Sequence, residues 1–127
     1  RNILHVYVQT SDYTIAAGAN LSIQLDYGGT NVCSVGFSNG SGGTLADSDG
    51  GCDFYLYNLG ATNSQKCLAK ATLGDNGDQN GTKDVLIVRG AGTSAIDSTA
   101  TQNLTMEVVG NSINNSVTTS GMVFIVE

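Results

Sequence analysis

The sequence predicts an all-β domain, a two-sheet antiparallel β-sandwich of immunoglobulin-like or jelly-roll type with about eight strands. Apolar and polar residues alternate with period two along much of the chain, which places one face of each segment in a core and the other in water. Glycine or a turn cluster interrupts nearly every stretch, and sustained 3.6-residue apolar spacing is scarce, so helices have little support. Turn chemistry recurs at intervals near a dozen residues. A chain of 127 residues is one domain, spanning 1–127, and buries roughly two-thirds of its extended surface, enough for one core.

Taken in order, Ile3 to Val8 is apolar on both sides and suits a central strand. Leu21, Ile23, Leu25 and Tyr27 alternate with Ser22, Gln24 and Asp26; Cys33, Val35 and Phe37 alternate with Ser34, Gly36 and Ser38. Phe54 to Tyr57 is a short aromatic strand. Lys66 to Leu73 places Cys67, Ala69, Ala71 and Leu73 on one face, although Ser64 as a cap and Gly74 as a stop also allow a short helix there. Val85 to Val88 and Met122 to Val126 are again two-sided and central in type, and Leu104, Met106 and Val108 alternate with Thr105, Glu107 and Val109. The connections at Gly28-Gly29, Asn39-Gly40, Asn76-Gly77, Asn80-Gly81 and Gly90 to Gly92 are residues that take positive φ cheaply. Two long loops stand out, Gly/Ser-rich from Asn39 to Gly51 and Asp/Asn-rich from Gly74 to Asp84.

Five basic residues against eleven acidic ones give a net charge of −6. None of the five is clustered in sequence, so no charge stripe is expected for nucleic acid or an anionic membrane. No apolar run reaches the roughly eighteen residues of a membrane helix, so no membrane insertion of this segment is expected. The first residue is Arg1 rather than Met, and the expectation is a processed or excised chain that has lost a secretory signal or an N-terminal anchor.

Three cysteines without CxxC spacing, in an acidic Asn/Thr-rich domain, read as one disulfide plus one thiol. Cys33 and Cys67 share inward parity and, if the strands run up and down in succession, begin at the same end. Cys33–Cys67 is therefore the expected bond and Cys52 the free thiol; three buried thiols in a reduced protein are the alternative.

Chemistry has few carriers. His5 is the sole imidazole, set within a strand and with no Gly-x-Ser-x-Gly elbow to serve, and the only glutamates are Glu107 and Glu127. A non-enzymatic chain with no resident cofactor is expected. The segment from Asp75 to Asp84 offers Asn76, Asp78, Asn80 and Asp84 around Gly81, a spacing that resembles the start of a calcium loop. Asn opens it, Lys83 intrudes, and Ile87 stands where the bidentate Glu belongs, so the expectation is a weak Ca²⁺ site or a polar double turn. Asp47, Asp49 and Asp53 form a weaker carboxylate group. Sequons at Asn20, Asn39, Asn80, Asn103 and Asn114 mark candidate glycan positions. Tyr55 and Tyr57, two apart on one strand, are candidate sugar-stacking residues.

In composition and architecture the chain resembles the globular domain of a pilus or fimbrial subunit. That resemblance implies an extracellular or cell-surface structural subunit, in a filament or surface layer, whose partners are copies of itself or other surface subunits. A carbohydrate-binding or adhesin module, with glycans as partners, and a virion capsid or tail domain are the alternatives. The apolar end strands Ile3 to Val8 and Met122 to Val126 need cover on both faces and pairing along their edges, which a neighbouring subunit or their own pairing within the domain would supply.

Overall fold

The computed structural model describes residues 3–39, 45–47, 50–74 and 85–126. Among these residues nine antiparallel strands follow one another: β1 (Ile3–Ile15), β2 (Asn20–Tyr27), β3 (Thr30–Ser38), β4 (Leu45–Asp47), β5 (Gly50–Asn58), β6 (Gln65–Gly74), β7 (Val85–Ser94), β8 (Leu104–Gly110) and β9 (Ser116–Val126). They form two sheets. The larger runs β9-β1-β5-β6-β7, with the short β4 beside the far end of β1; the smaller runs β3-β2-β8. The two-sheet antiparallel architecture expected from the alternation is the one the chain adopts. Among the described residues there is no helix, hence none long and apolar enough to cross a membrane.

Inward parity builds the core. The larger sheet contributes Val6, Val8, Cys52, Phe54, Leu56, Cys67, Ala69 and Ala71, and the smaller one Leu21, Ile23, Leu25, Val35 and Phe37, all in one apolar cluster. Three register shifts interrupt the pairing, two between β1 and β9 and one between β2 and β3, and two of them change which residues face inward. Between Thr10 and Asp12 the pairing of β1 with β9 slips, so inward positions change from Val6, Val8 and Thr10 to Tyr13 and Ile15. In β3 the register moves from Leu25↔Cys33 to Asp26↔Asn31, leaving Val32 extra, and Val32 and Cys33 are both buried. The β2–β3 hairpin closes on Gly28 and Gly29, with φ of 59° and 76°, the double positive φ of a type I′ turn.

The larger departures from the sequence reading have physical causes. Gly90 and Gly92 are not a turn but lie inside β7, opposite Ala69 and Cys67. A Cβ built on either would stand 1.9 Å from a carbonyl oxygen of β3, that of Ser34 or Val32 respectively. Glycine is required there for close approach rather than for φ. The small inner face of β6 and β7 thus lets the edge strand β3 of the smaller sheet settle against the larger one, and this side of the sandwich is shut. The opposite side is formed by β8 and β9, the outermost strands of the two sheets, joined by the turn through residues 111–115.

Of the two end strands expected to be central, the first is so and the last is not. β1 is central, paired with β5 on one side and with β9 on the other, so it is covered within the domain. β9 is an edge, not a central strand: among the described residues it pairs with β1 alone. The Asn39 to Gly51 segment expected to be loop contains β4 and the start of β5.

Candidate functional site

The outer face of the larger sheet brings together the imidazole, a carboxylate, three tyrosines and three basic residues. Because Cys52, Phe54 and Leu56 point inward, Asp53, Tyr55 and Tyr57 point outward. The same parity puts His5 and Tyr7 of β1, Lys66, Leu68 and Lys70 of β6, and Arg89, Ala91 and Thr93 of β7 on that face. Register lines them up in rows: His5, Tyr55, Leu68 and Ala91 in one, Tyr7, Asp53, Lys70 and Arg89 in the next.

His5 and Asp53 are diagonal neighbours, with Nε2 2.7 Å from Oδ1, so the imidazole N–H donates to the carboxylate. The His5 ring stacks on Tyr55 with centroids 4.3 Å apart and planes 12° from parallel. Asp53 fixes His5, and His5 holds the tyrosine ring on the β1 side. On the β6 side lies a depression of about 550 Å³ lined by Tyr55, Leu68, Ala69, Lys70, Arg89, Gly90 and Ala91. Tyr55 and Leu68 are 39% and 40% exposed, large apolar surface for an unoccupied face.

Both sugar-stacking candidates share this outward face, Tyr55 exposed and Tyr57 half-buried. The basic residues correct the sequence reading. Though scattered in sequence, Lys66, Lys70 and Arg89 share one surface, and Lys70 and Arg89 are direct register partners. The signal was available in part, since Lys66 and Lys70 alternate with Cys67, Ala69 and Ala71; what the sequence does not state is that β7 lies beside β6.

The cysteines sit on the inner side. All three are buried and unbridged. Cys33 and Cys67 meet across the two sheets: the Cys67 thiol hydrogen-bonds Cys33, which draws Cys33 below the ordinary thiol range, while that bond and burial push Cys67 far up. They come together because Cys67 is opposite Gly92, whose missing side chain leaves β3 room to approach. Cys52 lies elsewhere in the core, on β5 between Val8 and Ala71. Burial, and secondarily the neighbouring Asp53 charge, push its thiol up to about 12.

Of the glycan candidates, Asn20, Asn103 and Asn114 are exposed. Asn39 is removed: it is 7% exposed, and its Nδ2 donates to the carbonyls of Ile15 at 2.8 Å and Ala16 at 3.1 Å, bonds that an attached glycan would disrupt. The calcium candidates Asn76, Asp78, Asn80 and Asp84, with the Asn80 sequon, lie outside the described residues, as does Asp49. Among the described residues no three His, Cys, Asp or Glu side chains converge as a metal site. No protein-family model, curated protein or solved structure matches this chain.

Proposed function

We propose that this chain is a non-enzymatic subunit of an extracellular or cell-surface assembly, filament or surface layer, joined to its neighbours along the open β8/β9 side. The observation that carries the reading is the state of those two edges. Soluble sandwiches protect edge strands with lysine, proline, inward charges, bulges, short length or a covering loop. β9 is eleven residues long with no charged residue and no proline, and its irregularities are the two register shifts against β1 around Thr10. β8 carries a single charge, Glu107, and leaves Val108 and Val109 45% and 41% exposed; Ile113, in the turn between the two strands, is 99% exposed. Backbone donors and acceptors beside uncovered apolar side chains are what strand addition or edge-to-edge packing uses. β1 takes no part in this edge, because it is paired on both sides within its sheet.

The commitments of His5 fit a positioning role: its Nε2 is bonded to Asp53 and one ring face lies on Tyr55. The expected result in sedimentation and electron microscopy is concentration-dependent oligomers or filaments of the intact chain. Val109→Lys combined with Ile113→Lys should leave the melting temperature within a few degrees, as exposed substitutions do, and hold the protein monomeric. A stable monomer of the intact chain at every concentration tested overturns the reading.

A further inference from the structure

We propose that the depression between β5 and β7 on the outer face of the larger sheet binds an acidic sugar, one whose ring rests on Tyr55 and Leu68 and whose carboxylate meets Lys70 and Arg89. The site stands on a different face from the β8/β9 edges and does not depend on assembly.

Charge placement is the first argument. The chain has five basic residues and a net charge of −6. Two of those five are nonetheless set directly opposite each other on neighbouring strands, where like charges repel. Among the described residues no carboxylate lies within salt-bridge distance of either, because Asp53, the register partner of Lys70, is bonded to His5 instead. Among the described residues the two adjacent cations thus have no ion-pair partner, and a bound anion relieves their repulsion. The planar guanidinium of Arg89 matches a carboxylate through two parallel hydrogen bonds, with Lys70 as a second point charge.

Shape and apolar surface select the rest of the ligand. A volume of about 550 Å³ falls in the range of small-molecule sites rather than of polymer tracks. Tyr55 is stacked on His5 from the β1 side, so its other face is turned toward β6 and the depression, ready for the C–H face of a pyranose. With the ring already fixed by His5 and Asp53, little ordering is left to do on binding. Two cations beside an exposed aromatic are too few for a phosphate backbone or a lipid surface, which require runs of basic residues. A carboxylate-bearing sugar supplies one negative group and an apolar ring face at this spacing.

The test is an NMR titration of the intact chain with a galacturonate trisaccharide and with sialyllactose, each against its methyl ester. Backbone shifts are expected around Tyr55, Leu68, Lys70 and Arg89 with the free acid of at least one of the two, which identifies uronate or sialate as the source, and weaker binding for its ester. Arg89→Gln should weaken binding about tenfold, the usual loss for a charged hydrogen bond, and Tyr55→Ala should do the same without loss of the melting transition. Three outcomes overturn the proposal: no shifts at millimolar sugar, equal binding of acid and ester, or shifts at these residues that follow protein concentration alone. The last would make the face a contact between copies of the chain. Persistence of binding in the Val109→Lys/Ile113→Lys monomer separates this proposal from the assembly reading.

Discussion

Gly92→Ala is expected to cost more than about 4 kcal/mol, beyond the range of ordinary substitutions, and Gly92→Val to leave the chain unfolded. The new Cβ would stand 1.9 Å from the Val32 carbonyl oxygen and 2.9 Å from its carbon. Both are backbone atoms, so no side-chain rotation relieves the overlap, and β3 would have to lift off the larger sheet. That lift would open the contact between Val32, Cys33 and the inner face of β6. Gly18 is the matched control. It has φ of +69° but nothing within 4 Å of a built Cβ, so Gly18→Ala should cost only the left-handed penalty of about 1–2 kcal/mol. Urea denaturation of the two variants decides the matter. A Gly92→Ala protein as stable as Gly18→Ala would mean that the two sheets do not close on the β3/β7 side.

Oxidation supplies the second large effect, of opposite sign. With oxidised glutathione present as the chain folds, Cys33 and Cys67 are expected to form an intrachain bond. The Cys33 thiolate attacks the glutathione disulfide, releasing one glutathione thiolate; Cys67 then loses its proton and displaces the second from the mixed disulfide. The bond closes a loop of about 35 residues, which in the chain-entropy account stabilises by about 3–4 kcal/mol. Reduction should lower the urea midpoint, Cys33→Ser should abolish the difference, and Cys52→Ala should keep it. With its thiol pushed up to about 12 in the core, Cys52 should resist alkylation at pH 8 until the protein unfolds. Peptide mapping that finds three reduced cysteines after folding in that buffer, or Cys52 in the bond, would refute the pairing and remove a support for the extracellular reading.

Alternation made the faces of most strands legible, because burial of one face imposes period two whatever the topology. The segment from Leu21 to Tyr27 and the inward set Cys67, Ala69 and Ala71 were readable for that reason. Neighbours were not readable, since a strand's own sequence does not name its partner. The Cys33 and Cys67 pairing shows the difference: inward parity was the sound half of the argument, whereas the up-and-down succession was not, as β3 and β6 belong to different sheets. Gly90 and Gly92 were misread because glycine serves both for positive φ and for close approach, and only the partner backbone distinguishes them. β4 pairs through just three residues with β1, too short a run to show a period inside a Gly/Ser-rich segment. Of the site, Tyr55 was visible and the Lys70–Arg89 pair was not, since it arises from two strands meeting.

The pairing of β1 with β9 also decides how the domain would bear mechanical load. Leu4 is opposite Val126, so the first and last described strands meet at one pole of the sandwich. Tension applied through the two ends would act across this ladder and open it one hydrogen-bonded pair at a time, like a zipper, instead of shearing all the pairs together. A polymer that passed force through the ends of each subunit would yield at this ladder first. One that passed it sideways, from the β8/β9 side of one subunit to the next, would leave the β1/β9 pairing unstressed and place the strain on its lateral contacts.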